Sequence, residues 1–459
     1  MSGEHDLERE IAAVFAEAAP STSPDYLLPS VISSARRKRR WPRWYALVKE
    51  PTMHNESRLL VGSPTARVAI VMVATLLVAA MVAGAGIAGA RLLAAGPIVV
   101  DQSGDGTVTT ITEAVAMAED GDIILVKPGM YVEAIVIEKD ITLSGDGDRE
   151  RIVIEAPVDG PVSFTGVFDG NYTDTSYAVL LKDTESTVSG LTFRGESARV
   201  HADGGAPVLE DLLFEGVGMI PRGWYVPQAV IVTGRTRATI RGNTLSDGGG
   251  IQVYDRSNPL VIRNVLSGGP HIVGGFGDET IIRGNSISRT LTNAVNITGP
   301  TTAVIEGNLI SDVPTGINVG GRGLPGDEAR GFDPLIRGNT ITAVEGVAID
   351  VAAAALPTIE ANVLTDASIA IRIARSDPRV ADNELRDNGG GILIAAGSPT
   401  LEGNTITGGT TGISLRASEA TPTLSGNTVC DNETNVALSG GAQTPDTVGN
   451  DICEDDVSG

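Results

Sequence analysis

The stretch Ile240-Arg241-Gly242-Asn243-Thr244-Leu245, followed by Gly250-Ile251-Gln252-Val253, decides the fold because it recurs. Its asparagine returns as Asn264, Asn285, Asn308, Asn339, Asn362, Asn383, Asn404, Asn427 and Asn450, at steps of 21, 21, 23, 31, 23, 21, 21, 23 and 23 residues. About eight residues past an asparagine stands a second aliphatic run, as in Gly316-Ile317-Asn318-Val319. A stride this regular marks a solenoid. Runs of three to five residues are too short to stand alone as strands, and Gly, Asn, Asp and Pro punctuate their ends. Stacked coil on coil, each strand pairs with its copies about 4.8 Å above and below, and a residue repeated at one corner becomes a column. Asparagine suits that column, because stacked amides bond along the axis and the residue tolerates left-handed backbone angles. Helical repeats would show apolar periods near 3.6, and leucine-rich repeats would show leucines at fixed offsets; this chain shows neither. The expectation is an all-β parallel β-helix of about 21–23-residue coils, roughly fifteen in number. Upstream, Leu191 and Leu212, 21 residues apart, take the asparagine's place in the column.

Composition agrees with thin coils and aliphatic interiors: 56 of 459 residues are glycine and only 4% are aromatic. Charge is divided unevenly. Residues 1–67 hold ten Lys/Arg against eight Asp/Glu, whereas the remainder holds 24 against 49. So acidic a body repels nucleic acid, which removes that class of partner.

Residues 68–90 carry no charge and are bracketed by Arg67 and Arg91. That is long enough to cross a bilayer as a helix, and too far into the chain for a signal peptide. Nine Lys/Arg between Arg36 and Arg67 precede the span, and only Arg91 follows it before Asp101. The positive-inside rule then places the N-terminus in the cytoplasm and the β-helix outside a plasma membrane crossed once. The expected order is a cytoplasmic segment 1–66, a transmembrane helix 67–91, a cap 98–120 and the β-helix 121–455. Within the first segment, Leu7, Ile11, Val14 and Phe15 form a short helical stripe. Trp41, Trp44 and Tyr45 then interleave with Arg36 to Arg43, a pattern that rests on anionic headgroups or docks a partner. This layout resembles the short cytoplasmic tails of bacterial anti-sigma-like membrane proteins, although it lacks their zinc-site cysteines and histidines.

Beyond the span, Ile111, Ala114, Val115 and Ala118 make an i, i+3, i+4, i+7 stripe, a helix that plugs the open end of the first coil. The runs Ile123-Ile124-Leu125-Val126, Gly129-Met130-Tyr131, Ile135-Val136-Ile137 and Ile141-Thr142-Leu143 come next. This ordered set resembles the start of pectate-lyase-like right-handed β-helix proteins, and the asparagine repeats resemble their generic coil repeats. The resemblance covers residues 100–455 and implies a right-handed coil, the hand also preferred by parallel crossovers.

Cys430 and Cys453 are the only two cysteines, 23 residues and hence one coil apart, each three residues past a column asparagine. Stacked neighbours have Cα atoms about 4.8 Å apart, inside the disulfide window. The expectation is a disulfide, with two free thiols as the alternative; two cysteines alone are too few ligands for a structural metal.

Alternation on the Gly-Ile-x-Val strand points His201, Gln252, Asn296, Asn318 and Arg372 outward, with His271 nearby. Insertions 218–228, bearing Arg222, Trp224 and Tyr225, and 320–331, bearing Arg322, Asp327 and Glu328, flank this strip. Two readings fit. The strip is a groove in which Trp224 and Tyr225 stack on sugar rings while amides bind hydroxyls, or it is ordinary exposed polarity.

For catalysis, the resemblance implies acidic clusters around calcium in lyases, paired aspartates with a Gly-His-Gly segment in hydrolases, and Asp-Pro-His-Asp in alginate epimerases. This chain has none of these. Its nearest approximations are His201 with Asp203, and Tyr254-Asp255-Arg256, at corners where aspartate is expected for turns. The His or Met clusters of copper-handling relatives are missing as well. No cofactor is called for, although rows of corner aspartates offer ligands that suit Ca²⁺. The favoured reading is a single-pass cell-envelope protein whose external β-helix binds glycan or serves as an adhesive rod. The alternatives are a lyase or epimerase acting on uronate-containing polysaccharide, and a transmembrane signal transducer with a β-helix sensor.

Overall fold

The computed structural model describes residues 96–157, 160–168, 171–217, 228–269, 271–277, 279–320, 332–352 and 355–454. The segments 1–66 and 67–91 lie outside them. Among the described residues, no helix is long and apolar enough to cross a membrane.

Fourteen parallel strands, from Ile98–Val100 to Thr423–Ser425, stack into the first sheet. Each full coil then contributes to two further ladders. These count as one 25-stranded sheet because Thr340–Ala352 and Val363–Ala374 pass through both without a break. The sequence led to strands of three to five residues throughout. At these two coils pairing with the neighbours continues past the corner, through a register shift between Val344 and Val347. An antiparallel hairpin, Val162–Phe168 with Asn171–Ser176, is a departure from the parallel pattern.

Alternation builds the core. In the first sheet Leu143, Val188, Leu209 and Ile240 lie in register, each fully buried, and the column continues through Ile282 to Leu401. Burying one such side chain contributes about 1.5–3 kcal/mol, and repetition makes the contribution regular along the axis. The open end of the first coil is covered by the helix Ile111–Met117, which buries Ile111, Ala114 and Val115. Both helix ends are capped from the coil beneath. Glu133 accepts from the backbone N–H of Ile111 and Thr112 at 3.0 and 2.8 Å. Lys139 Nζ donates to the carbonyls of Val115, Ala116 and Ala118 at 2.9, 3.1 and 2.7 Å. A carboxylate at the N-terminus and an ammonium at the C-terminus also complement the helix dipole.

The ten asparagines form a continuous amide ladder, buried at every rung but the last, Asn450. Each Nδ2 donates to the Oδ1 of the next asparagine, from 3.0 Å at Asn243–Asn264 to 2.8 Å at Asn427–Asn450. The same Oδ1 accepts the backbone N–H of the preceding asparagine, as at Asn339 and Asn362 (3.0 Å). Leu212 stands one rung upstream, and its N–H donates to Asn243 Oδ1 at 2.9 Å.

The left-handed backbone angle sits elsewhere than the sequence argument placed it. None of these asparagines has a positive φ; the residue before each one does. That residue is Gly242, Gly284, Gly307, Gly338, Gly403, Gly426 or Gly449 in most coils, and Arg263, Ala361 or Asp382 in the others. An asparagine in the left-handed region would aim its amide away from the column. An L-residue pays about 1–2 kcal/mol there, offset in part by the lower unfolded-state entropy of a non-glycine residue. Ala361→Gly (φ 53° and exposed in the native chain) is therefore expected to stabilise by about 0.5–1 kcal/mol, read as a rise in thermal midpoint.

Cys430 and Cys453 form a disulfide with Cα atoms 4.9 Å apart, tying the short strand Asp451–Ile452 and its neighbours to the coil before. With Asp451 they make the one cluster of three metal-ligand side chains among the described residues. The disulfide takes both sulfurs out of consideration as thiolate ligands.

Candidate functional site

The third ladder carries the polar row. Pairing puts His201 beside Ile231, Ile231 beside Gln252, and Gln252 beside Val273. Val273 lies beside Asn296, Asn296 beside Asn318, Asn318 beside Asp350, and Asp350 beside Arg372. Inward neighbours such as Val253, Ile297, Val319 and Ile373 are fully buried, so this row faces away from the core.

It does not form one open strip. At its upstream end the row is closed off from solvent: His201 is 1% exposed, Ile231 0% and Gln252 4%. Alternation alone assigned these side chains to a groove, because it fixes which way a residue points. Whether that side is wet depends on chain far away in sequence. Trp224 and Tyr225 lie outside the described residues, as do the insertion segments 218–227 and 321–331.

Within the closed part several polar side chains bond one another, although Gln228 Oε1 and His271 Nδ1 have no hydrogen-bond partner among the described residues. Thr233 Oγ1 donates to Asp203 Oδ1 at 2.8 Å, and His201 Nε2 lies 2.7 Å from the same Thr233 Oγ1. A threonine has one proton to give, and an ionised aspartate can only accept. His201 must then donate from Nε2, which fixes its neutral tautomer and removes it as a base toward Thr233. Burial drives the His201 pKa down to about 4, against the opposing pull of Asp203 and Asp255. Gln228 Nε2 donates to Gln252 Oε1 and, at 3.2 Å, to Tyr254 Oη. His271, on the next coil, is 4% exposed, and burial likewise lowers its pKa.

The downstream part is accessible at Asn296, Asn318 and Arg372, whereas Asp350 is 8% exposed. Asn296 and Asn318 are half-buried, and Asn318 Nδ2 donates to Asn296 Oδ1 at 2.8 Å. That bond leaves Asn296 Nδ2 as donor and Asn318 Oδ1 as acceptor. Arg372 meets Asp350 in a two-point ion pair, Nε to Oδ1 at 2.8 Å and Nη2 to Oδ2 at 2.5 Å. Asn, Asn, Asp and Arg on four successive rungs make a strip about 14 Å long. It offers amide and guanidinium hydrogen-bonding groups to a ligand with hydroxyls. Its one carboxylate is engaged by Arg372 on both oxygens, which leaves it poorly placed to transfer protons.

Residues 224–326 and 328–452 match the family model described as a right handed beta helix region. Among curated proteins, none matches the chain by sequence. Among solved structures, similarity extends to the catalytic unit of the thermostable GH87 alpha-1,3-glucanase from Streptomyces thermodiastaticus strain HF3-3. It has 16% identity over 79% of this chain and 69% of that chain, with a TM-score of 0.50. The catalytic domain of a GH87 alpha-1,3-glucanase in complex with nigerose is similar at 14% identity, over 72% of this chain and 68% of that chain, with a TM-score of 0.51. At such identities the likeness is one of fold alone.

Proposed function

We propose, for a chain whose repeat region is a right-handed β-helix of this family, that it is a non-catalytic glycan-binding module held at the outer face of a cell membrane. The accessible residues Asn296, Asn318 and Arg372, with Asp350 buried behind its ion pair, support binding. The two amides are locked to each other by one hydrogen bond and keep a donor and an acceptor free, the complement of a pair of sugar hydroxyls. The non-catalytic reading rests on the hydrogen-bonded state of the polar groups. His201 is fixed as a donor, and Asp350 is neutralised by Arg372. Anchoring rests on the uncharged residues 68–90 and the basic residues before them.

The test is titration of the full-length chain with neutral and uronate-containing oligosaccharides, with product absorbance followed in the same samples. Binding without turnover is expected. Asn296→Ala with Asn318→Ala should weaken it about tenfold, roughly 1.4 kcal/mol, with the thermal midpoint little changed. Turnover would instead place the chain with the lyases or epimerases, and unaltered affinity in the double variant would remove the strip from the site.

A further inference from the structure

The second ladder presents a different face, whose outward residues also lie in register. In chain order the first row reads Thr244, Val265, Ser286, Leu309, Thr340 and Val363, one per coil. Hydroxyl and aliphatic residues alternate strictly. Two positions further along each strand, the second row runs from Ser246 to Thr365 and carries a hydroxyl at every rung. The residues between the rows, Leu245, Leu266, Ile287, Ile310, Ile341 and Leu364, are buried, so both rows face outward. Val265 is 46% and Leu309 50% exposed, uncommon for large apolar side chains on this molecule.

None of the twelve outward residues is charged, in a chain of net charge −23. Charges border the face. Arg149 Nη2 reaches Thr244 at 3.3 Å at one end, the Arg386–Glu384 ion pair marks the other, and Arg289 reaches Ser267 from the corner at 2.5 Å. Rungs are about 4.8 Å apart, so the aliphatic positions repeat at about 9.6 Å along a face about 24 Å long.

We infer that this face binds an extended, uncharged β-linked polysaccharide chain laid along the helix axis. In such a chain each pyranose ring advances by close to one rung and is turned half a turn from its neighbour. The same ring face therefore recurs at every second rung, which is the period of Val265, Leu309 and Val363. The apolar C–H face of alternate rings packs on these side chains, and ring hydroxyls exchange hydrogen bonds with the serine and threonine rows. A neutral polymer also suits these six rungs, which carry no outward charge, whereas the acidic body repels an anionic one. This site lies on another face from the Asn296–Asn318 strip and does not depend on it.

The experiment is co-sedimentation of the full-length chain with microcrystalline cellulose and with chitin. Binding to at least one is expected, weakened at least tenfold by Val265→Asp with Leu309→Asp and several-fold by Val265→Thr with Leu309→Thr. The threonine pair keeps β-branched, uncharged residues and decides the matter should the aspartate pair fail to fold. The inference is overturned by failure of the native chain to sediment with either polymer, or by retention of full binding in the threonine pair. Equal binding to granular starch, whose α-linked chains coil, overturns it too.

Discussion

Asn339→Ala is expected to destabilise the β-helix by about 3–5 kcal/mol, whereas Asn450→Ala should cost about 1 kcal/mol. The difference follows from what each amide leaves behind. Asn339 Oδ1 accepts the backbone N–H and the Nδ2 of Asn308, at 3.0 and 2.9 Å, and its Nδ2 donates to Ile305 O and Asn362 Oδ1, at 3.0 and 2.9 Å. Asn339 is 0% exposed, so no water replaces those partners, and each orphaned group carries its own desolvation penalty. Asn450 accepts from Asn427 in the same way, but it is half-exposed and its own amide donates only weakly, at 3.4 Å, to Thr447 O and Val448 O. Guanidinium unfolding of the two variants against the native chain, followed by circular dichroism, measures the gap. Equal losses at both positions would mean that the column is a by-product of packing rather than a support for it. Asn339→Leu should recover little, because it fills the volume and still strands the Asn308 N–H.

The fold was open to sequence reasoning because a parallel β-helix writes its geometry into the stride. A residue needed at one corner is needed at that corner in every coil, and 21 to 23 residues is the length of one turn. What one coil asks of its backbone was harder to assign. Both the left-handed position and the amide column fall within two consecutive residues, Gly242-Asn243 in the first rung. Asparagine is a known tolerator of positive φ, so residue preference alone credited it with both tasks. At the candidate site, alternation was enough to put His201, Gln252, Asn296 and Asn318 on one side of one ladder. It said nothing about the closure of the upstream half, since burial of Ile231 and Gln252 is a property of the whole surface. The alternating hydroxyl–aliphatic face went unread for a related reason. Thr244, Val265 and Ser286 each look like an ordinary exposed strand position, and their pattern exists only across coils, at right angles to the sequence.

Acid should loosen this molecule well above the range in which carboxylates protonate. His201 titrates at about 4 in the folded chain, against 6.5 for an ordinary histidine, with burial as the main cause. The sign follows from proton uptake. Between pH 6.5 and 4 the unfolded chain binds a proton at this residue and the folded chain does not, so falling pH favours unfolding. The stability conferred by keeping His201 neutral is fully present above pH 6.5 and is lost as pH falls toward 4. Over pH 7 to 4.5 the loss is about 2–3 kcal/mol from this one residue. His271, buried on a neighbouring coil with its pKa also lowered by burial, adds in the same direction. Protonation places the added charge on a ring that is 1% exposed, and that desolvation is what opposes it. Urea unfolding at pH 7, 6, 5 and 4.5 should therefore show a falling midpoint, and His201→Gln, which keeps a donor toward Thr233 and cannot titrate, should flatten the slope. A native midpoint that stays level from pH 7 to 5 would show that His201 is hydrated in solution and that the upstream end of the row is open after all.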